Sequence, residues 1–285
     1  MKSFLIGLLL MTAHLESWGQ IQYPRISPAS SLIQKIGLSE IRIDYSRPGV
    51  RGRKIMGEWV PYGRIWRVGA NESTKMTLSD STQINGQWIG PGQYALYAIP
   101  SQNQWTIIVH YNTSHWGDGR TLYTPAEDVF RFMIIPTVTN EFTENFEISF
   151  QNLTHESADL MLKWEHTLIS FPIVVNTHAQ MIKEIEKQIG KNPTAMTYYE
   201  SARYFQEKVI FPERAKEYLQ KAQILAGDKY FIHRVWALVE AQLKNYQEAI
   251  RHAELSKKLA EHEGKDEFVR MNDRSITEWK KLAKH

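Results

Sequence analysis

The chain of 285 residues is 42% hydrophobic, 23% charged and 12% aromatic, a globular composition that excludes wholesale disorder and a polytopic membrane protein. With 34 Lys and Arg against 31 Asp and Glu its formal charge is only +3, a balance that argues against a dedicated nucleic-acid binder. The absence of cysteine removes disulfides, thiol nucleophiles and zinc fingers, and at roughly 100–200 residues per domain the length predicts about two domains.

Lys2 precedes an apolar run over residues 4–13, and a polar stretch then leads to Ser17-Trp18-Gly19. The run is about half the ~20 residues that a spanning helix needs, and small residues at 17 and 19 suit a signal peptidase. The expectation is a signal peptide over residues 1–19, cleaved near Gly19/Gln20, with a secreted or periplasmic mature protein and no membrane span.

From there to residue 175 the pattern is that of strands. Period-two alternation or short β-rich runs occur at 40–46, 75–80, 93–100, 104–111, 129–136, 144–151, 158–165 and 167–175. Turn chemistry separates them, as in Arg47-Pro48-Gly49, Asn85-Gly86 and Gly90-Pro91-Gly92. This predicts an all-β antiparallel sandwich or jelly roll over residues 20–175.

Beyond residue 175 the period becomes 3.6, opening with Ile182, Ile185 and Ile189 on one stripe that stops at Gly190. An internal repeat follows: Ala215, Leu219 and Ala222 recur 34 residues later as Ala249, Ala253 and Ser256, with Ala202 and Ala237 on the preceding helices. Small side chains at those places let antiparallel helices approach closely, and the spacing resembles tetratricopeptide repeats. Residues 176–285 are therefore expected to form an all-α, TPR-like domain, with a protein partner as the implied ligand of its helical repeats.

Three blocks in the β region carry a second resemblance. Ser27-Pro28-Ala29-Ser30 leads to Ile41-Arg42-Ile43-Asp44-Tyr45-Ser46-Arg47-Pro48-Gly49-Val50-Arg51-Gly52-Arg53-Lys54-Ile55. Val60-Pro61-Tyr62-Gly63-Arg64-Ile65-Trp66-Arg67-Val68-Gly69-Ala70-Asn71-Glu72 follows, and Gly90-Pro91-Gly92-Gln93-Tyr94-Ala95-Leu96-Tyr97-Ala98-Ile99-Pro100 closes the pattern. Together these resemble the secreted bacterial proteins grouped as domain-of-unknown-function family 2911, over about residues 27–175. The resemblance implies no activity and no catalytic residue. Val68 stands where the family's Trp-Arg-x-Gly-Ala-Asn-Glu block is expected to carry Thr.

The chemistry concentrates between residues 42 and 67, where Arg42, Arg47, Arg51, Arg53, Lys54, Arg64 and Arg67 meet only Asp44 and Glu58, a local charge of +5. Guanidinium forks donate paired hydrogen bonds to carboxylate, sulfate or phosphate, and the Gly49 and Gly52 turns let backbone amides approach an anion. Pairing with carboxylates on neighbouring strands is the structural alternative. After Trp66 and Arg67 the chain turns at Gly69 and presents Asn71 and Glu72 near a strand end, where Arg67 can orient a ligand and Glu72 can take a proton. One carboxylate is not a glycosidase, which needs two, and Asp44, Asp118 and Asp128 are equal candidates for the second.

Six tryptophans lie in the β region, and most of them suit a core; Trp116, in Trp116-Gly117-Asp118-Gly119, is the aromatic expected to be exposed to a sugar ring. His110 and His115 lack metal-site spacing, and neither a phosphate-binding loop nor a Gly-x-Ser-x-Gly elbow is present. The leading reading is a non-enzymatic binding protein without cofactor or metal. Its β domain takes an anionic or carbohydrate ligand at Arg47, Arg51, Arg67, Asn71, Glu72 and Trp116. The competing reading is an extracellular glycan or polymer hydrolase using Glu72 and a second carboxylate.

Overall fold

The computed structural model describes residues 23–116 and 122–283. Residues 1–19, expected above to be a signal peptide, and Gly117-Asp118-Gly119 lie outside the described residues. The chain divides into two compact units between Val175 and Asn176.

Among the described residues the first unit is built of ten strands: β1 (Ala29–Ile36), β2 (Ser39–Ser46), β3 (Thr74–Leu78), β4 (Thr82–Ile84), β5 (Gln87–Ile89), β6 (Gly92–Ile99), β7 (Trp105–His110), β8 (Asp128–Ile134), β9 (Thr137–Gln151) and β10 (Ser157–Val175). They form two antiparallel sheets, one in the order β1-β2-β3-β6-β7-β8 and the other β5-β4-β10-β9. The alternation read from sequence explains their faces. In β2, Ile41, Ile43 and Tyr45 are buried while Glu40 and Arg42 face outward. The main hydrophobic core draws from both sheets, with Ile41, Ile43, Leu96 and Ile107 from the first and Phe146, Leu160, Trp164 and Phe171 from the second.

Two details show how the sequence sets the sheets. Asn85 and Gly86 both take positive φ, 45° and 87°, as the two-residue hairpin between β4 and β5 requires. In β10 the even positions are buried from Ala158 to Trp164 and the odd ones from Ile169 to Val175. The phase flips around Glu165, which has φ 51° and register shifts on both sides in the pairing with β9.

The described residues of the second unit form six helices: α1 (Thr177–Ile189), α2 (Ala195–Glu207), α3 (Pro212–Ala226), α4 (Tyr230–Gln242), α5 (Tyr246–His262) and α6 (Asp266–Leu282). Asn176 caps α1 by accepting from the Ala179 amide at 2.9 Å, Thr194 and Thr197 make a reciprocal capping box on α2, and Pro212 opens α3. The 34-residue repeat is a repeat of packing positions. Ala215, Leu219 and Ala222 on α3, and Ala249, Ala253 and Ser256 on α5, are all fully buried, as are Ala202 and Ala237. Helices α2 and α3, α4 and α5, and α5 and α6 are the closest neighbours. No helix among the described residues is long and apolar enough to cross a membrane.

Candidate functional site

A cleft of about 410 Å³ opens in the β unit between two irregular loops. The first, following β2, brings Pro48, Gly49, Arg51 and Arg53 to its wall; the second, preceding β3, brings Trp66, Arg67, Gly69, Ala70 and Asn71. Trp59, Val60 and Pro61 complete the rim, and Trp164 of β10 reaches it from the other sheet.

Both loops carry left-handed backbone. Arg51 and Gly52 have φ of 53° and 70°, while Val68, Gly69 and Asn71 have 55°, 148° and 62°. A β-branched residue in that region is a steric outlier, and the surrounding packing must hold it there. Val68 is fully buried in the core, Thr74 Oγ1 donates to its carbonyl, and Trp66 Nε1 donates to the Gly69 carbonyl at 3.2 Å. Asn71 Nδ2 donates to the Ser27 carbonyl and to Ser46 Oγ, both at 3.0 Å, so this side chain ties the loop to the start of the unit and to β2. Beneath it, Trp66 stacks on Trp164 with ring centres 5.9 Å apart and meets Phe146 edge-on at 5.3 Å.

The first loop is fixed with equal care. Glu144 Oε1 accepts from the Arg51 amide at 2.9 Å, and the Glu144 carbonyl accepts from the Val50 amide at 2.8 Å. Arg51 Nη2 donates to the Ile26 carbonyl at 2.9 Å. Arg53 donates through Nε to the Val50 carbonyl at 3.0 Å and through Nη2 to the Gly49 carbonyl, and its guanidinium lies 3.9 Å from the centre of the Trp59 ring. Carbonyl dipoles and the indole face therefore hold the cation in place of a carboxylate. Three arginines line the cleft, and among its described lining residues there is no Asp or Glu.

Of the six residues singled out in the sequence, Arg51, Arg67 and Asn71 meet at this cleft and the other three do not. Arg47 donates from Nε to the Phe146 carbonyl at 3.0 Å and lies 3.8 Å from Glu147, an anchor between β2 and β9. Glu72 accepts from Lys75 at 2.6 Å and lies 4.0 Å from Arg25. Trp116 is 53% exposed, as expected, with the Arg25 guanidinium 5.3 Å from its ring centre, and it bridges Glu72 through the backbone. Arg53 and Trp59 belong to the cleft and were not among the six. Their residue types stood in the arginine-rich stretch, but their stacking depends on how residues 54–60 fold back.

On the opposite face of β6 a second polar group gathers around Tyr97, His110 and His115, all buried. Tyr97 and His115 Nδ1 share a 2.7 Å hydrogen bond, and His110 is bonded to the Asn112 amide at 3.1 Å. Burial holds the His115 imidazole below its ordinary pKa and pushes the Tyr97 phenol up. Among the described residues no three His, Asp or Glu side chains come together as a metal set.

Fold and cleft together define a two-part protein: a unit of two antiparallel sheets bearing a cationic cleft, followed by six helices. Residues 27–173 match the family model described as Protein of unknown function (DUF2911), and the chain belongs to that family. No curated protein and no solved structure matches the chain at a significant level.

Proposed function

We propose that the protein is a secreted or periplasmic, non-enzymatic binding protein whose β-sandwich takes an anionic ligand, an acidic carbohydrate in the first instance, in the cleft between the two loops. The observation that carries this reading is the convergence of Arg51, Arg53 and Arg67 on one cleft with no carboxylate among its described lining residues. Such a site concentrates positive potential where guanidinium forks can engage a carboxylate or sulfate. Trp59, 59% exposed, supplies an aromatic face at the rim for a sugar ring. Glu72 stands outside the cleft, in a smaller cavity of about 110 Å³ that Asp44 also lines. Both carboxylates are already engaged, Glu72 by Lys75 at 2.6 Å and Asp44 by Arg42 at 2.8 Å, which supports binding over hydrolysis.

The helical unit is, on this reading, a TPR-like stack for a protein partner, supported by the small buried residues recurring on α3 and α5. Export is tested by intact-mass analysis of the exported protein, expected to begin at or near Gln20. Ligand binding is tested by calorimetric titration with uronic-acid, sulfated and neutral oligosaccharides at several salt concentrations. Acidic members should bind, more weakly as salt rises. Equal binding of neutral sugars, or no binding across the panel, would overturn the reading.

A further inference from the structure

Helix α4 buries two charges, and only one of them has a counter-ion. Glu240, 1% exposed, accepts from Lys216 at 2.9 Å, Asn245 at 3.0 Å and Trp236 at 3.2 Å. That is what a compensated buried charge requires. Arg234, 8% exposed, is treated differently. Its Nη1 donates to Asn272 Oδ1 at 3.1 Å and to Ser275 Oγ at 3.0 Å, both on α6, and these partners are neutral. Its Nε is buried with no acceptor in reach among the described residues. Burial pulls the guanidinium below its ordinary pKa, with no charge partner opposing it. The acid next to Asn272, Asp273, is engaged by Lys257 at 2.6 Å.

The surroundings of this cation are ordered before any ligand arrives. Asn272 is fully buried and donates from Nδ2 to Ser256 Oγ at 2.9 Å, and that hydroxyl donates onward to the Tyr230 carbonyl at 2.7 Å. The network turns Asn272 Oδ1 toward Arg234 and holds Nη1 on α6. The guanidinium edge formed by Nε and Nη2 is left, and that edge matches two carboxylate oxygens side by side. Nε is cut off from solvent but Nη2 is not, so a ligand reaches this edge from the Nη2 end. We propose that Arg234, oriented by Asn272 and Ser275, is a recognition point for one carboxylate of a bound ligand. The site lies in the helical unit and is independent of the cleft in the β unit.

The Nε–Hε resonance of Arg234, assigned by its loss in Arg234→Lys, reports this site directly. It is followed in the full chain carrying Arg67→Ala, which weakens the other anion site, during titration with acetate, chloride at matched ionic strength, inorganic phosphate, and a tripeptide with a free or an amidated C-terminus. The expected result is a saturable shift with acetate and the free tripeptide and none with chloride or the amide. Saturation should raise the Tm by about 4 °C or more once the ligand exceeds about ten times its Kd. A free tripeptide that binds at least tenfold more tightly than acetate assigns the carboxylate to a peptide end; equal affinities assign it to a small carboxylic acid. Ser275→Asp, which sets a carboxylate beside the guanidinium, should abolish the shift without lowering the Tm. No saturable shift, a shift with phosphate alone, or one that survives Ser275→Asp would overturn the proposal.

Discussion

His233 and His252 face each other through their Nδ1 atoms at 2.9 Å in the buried seam between α4 and α5. Their tautomers follow from the outer partners. Arg251 can only donate, so His252 Nε2 accepts from it at 3.0 Å and the proton of His252 sits on Nδ1. His233 Nδ1 then accepts, and its Nε2–H donates to Asp228 at 3.0 Å. Burial, with Arg251 and His233 adding to it, lowers the His252 pKa to about 4, so this imidazole is neutral in the folded protein.

The sign of the pH dependence follows. An unfolded histidine titrates near 6.5, so between about pH 6.5 and 4 the unfolded chain binds a proton that the folded chain refuses. The contribution of His252 is fully present above about pH 6.5 and is lost as the pH falls toward 4. Thermal melts across that window should show a falling Tm. His252→Phe, which keeps the stacking on Trp236 at 4.3 Å, should flatten the slope; an unchanged slope would assign the acid sensitivity elsewhere.

Tyr45 on β2 accepts a hydrogen bond from the Ile148 amide of β9 at 3.1 Å, a buried bond between the two sheets. Tyr45→Phe keeps the ring and its edge-on contact with Phe146 at 5.9 Å but leaves that amide without its acceptor. Denaturant unfolding should record a loss on the order of 1–3 kcal/mol. A loss near zero would mean that the strand finds another acceptor.

The strands that sequence patterning resolves are those buried on one face. β2, β3, β6, β7 and β8 lie within a residue or two of the expected runs, because the core selects every second side chain. β1 escapes notice because it is an edge strand, paired only with β2, and only Ile36 of its eight residues is fully buried. The first half of β9 escapes for the same reason: Thr137, Val138, Asn140, Glu141 and Phe142 are exposed, and pairing with β10 alone makes it a strand. The expected pair 158–165 and 167–175 is one strand, and the break between them falls where the pairing with β9 shifts register around Glu165. In the site, turn chemistry and the arginine run were enough to bring Arg51, Arg67 and Asn71 together. They were not enough to separate neighbours: Asn71 turns toward the cleft and Glu72 away to Lys75, a difference of backbone direction that no composition encodes.

Gly69 is the position where the second loop depends on glycine. With φ at 148°, an added Cβ would lie 3.0 Å from the Ser46 carbonyl oxygen and 3.3 Å from Thr74 Oγ1. Gly69→Ala combines a disfavoured dihedral with contact against backbone that cannot move far, for a cost of about 1–3 kcal/mol. Ligand affinity should fall together with Tm, since Arg67 and Asn71 flank this turn. An unaffected Tm would show that the loop rearranges without penalty.

Arg47 and Arg67 make opposite predictions. Arg47 is spent on the Phe146 carbonyl and lies beside Glu147, outside the cleft, so Arg47→Ala should lower Tm and leave ligand affinity unchanged. Arg67 is half-buried at the cleft wall, where a desolvated guanidinium contact to an anion contributes on the order of 1.5–3 kcal/mol, or about ten- to a hundredfold in Kd. Arg67→Ala should therefore weaken binding of an acidic oligosaccharide by that factor with a small change in Tm. Trp59→Ala provides the third arm: the ring is 59% exposed, so its loss removes the indole under Arg53 for about 0.5–1 kcal/mol of stability. It should also weaken binding of a ligand with a sugar ring more than binding of a simple anion. Calorimetry and melts of the three variants side by side separate the roles. If Arg67→Ala instead unfolds the protein at a cost of about 3–5 kcal/mol while the wild type binds nothing in the acidic panel, Arg67 is a buried structural charge and the cleft is not a binding site.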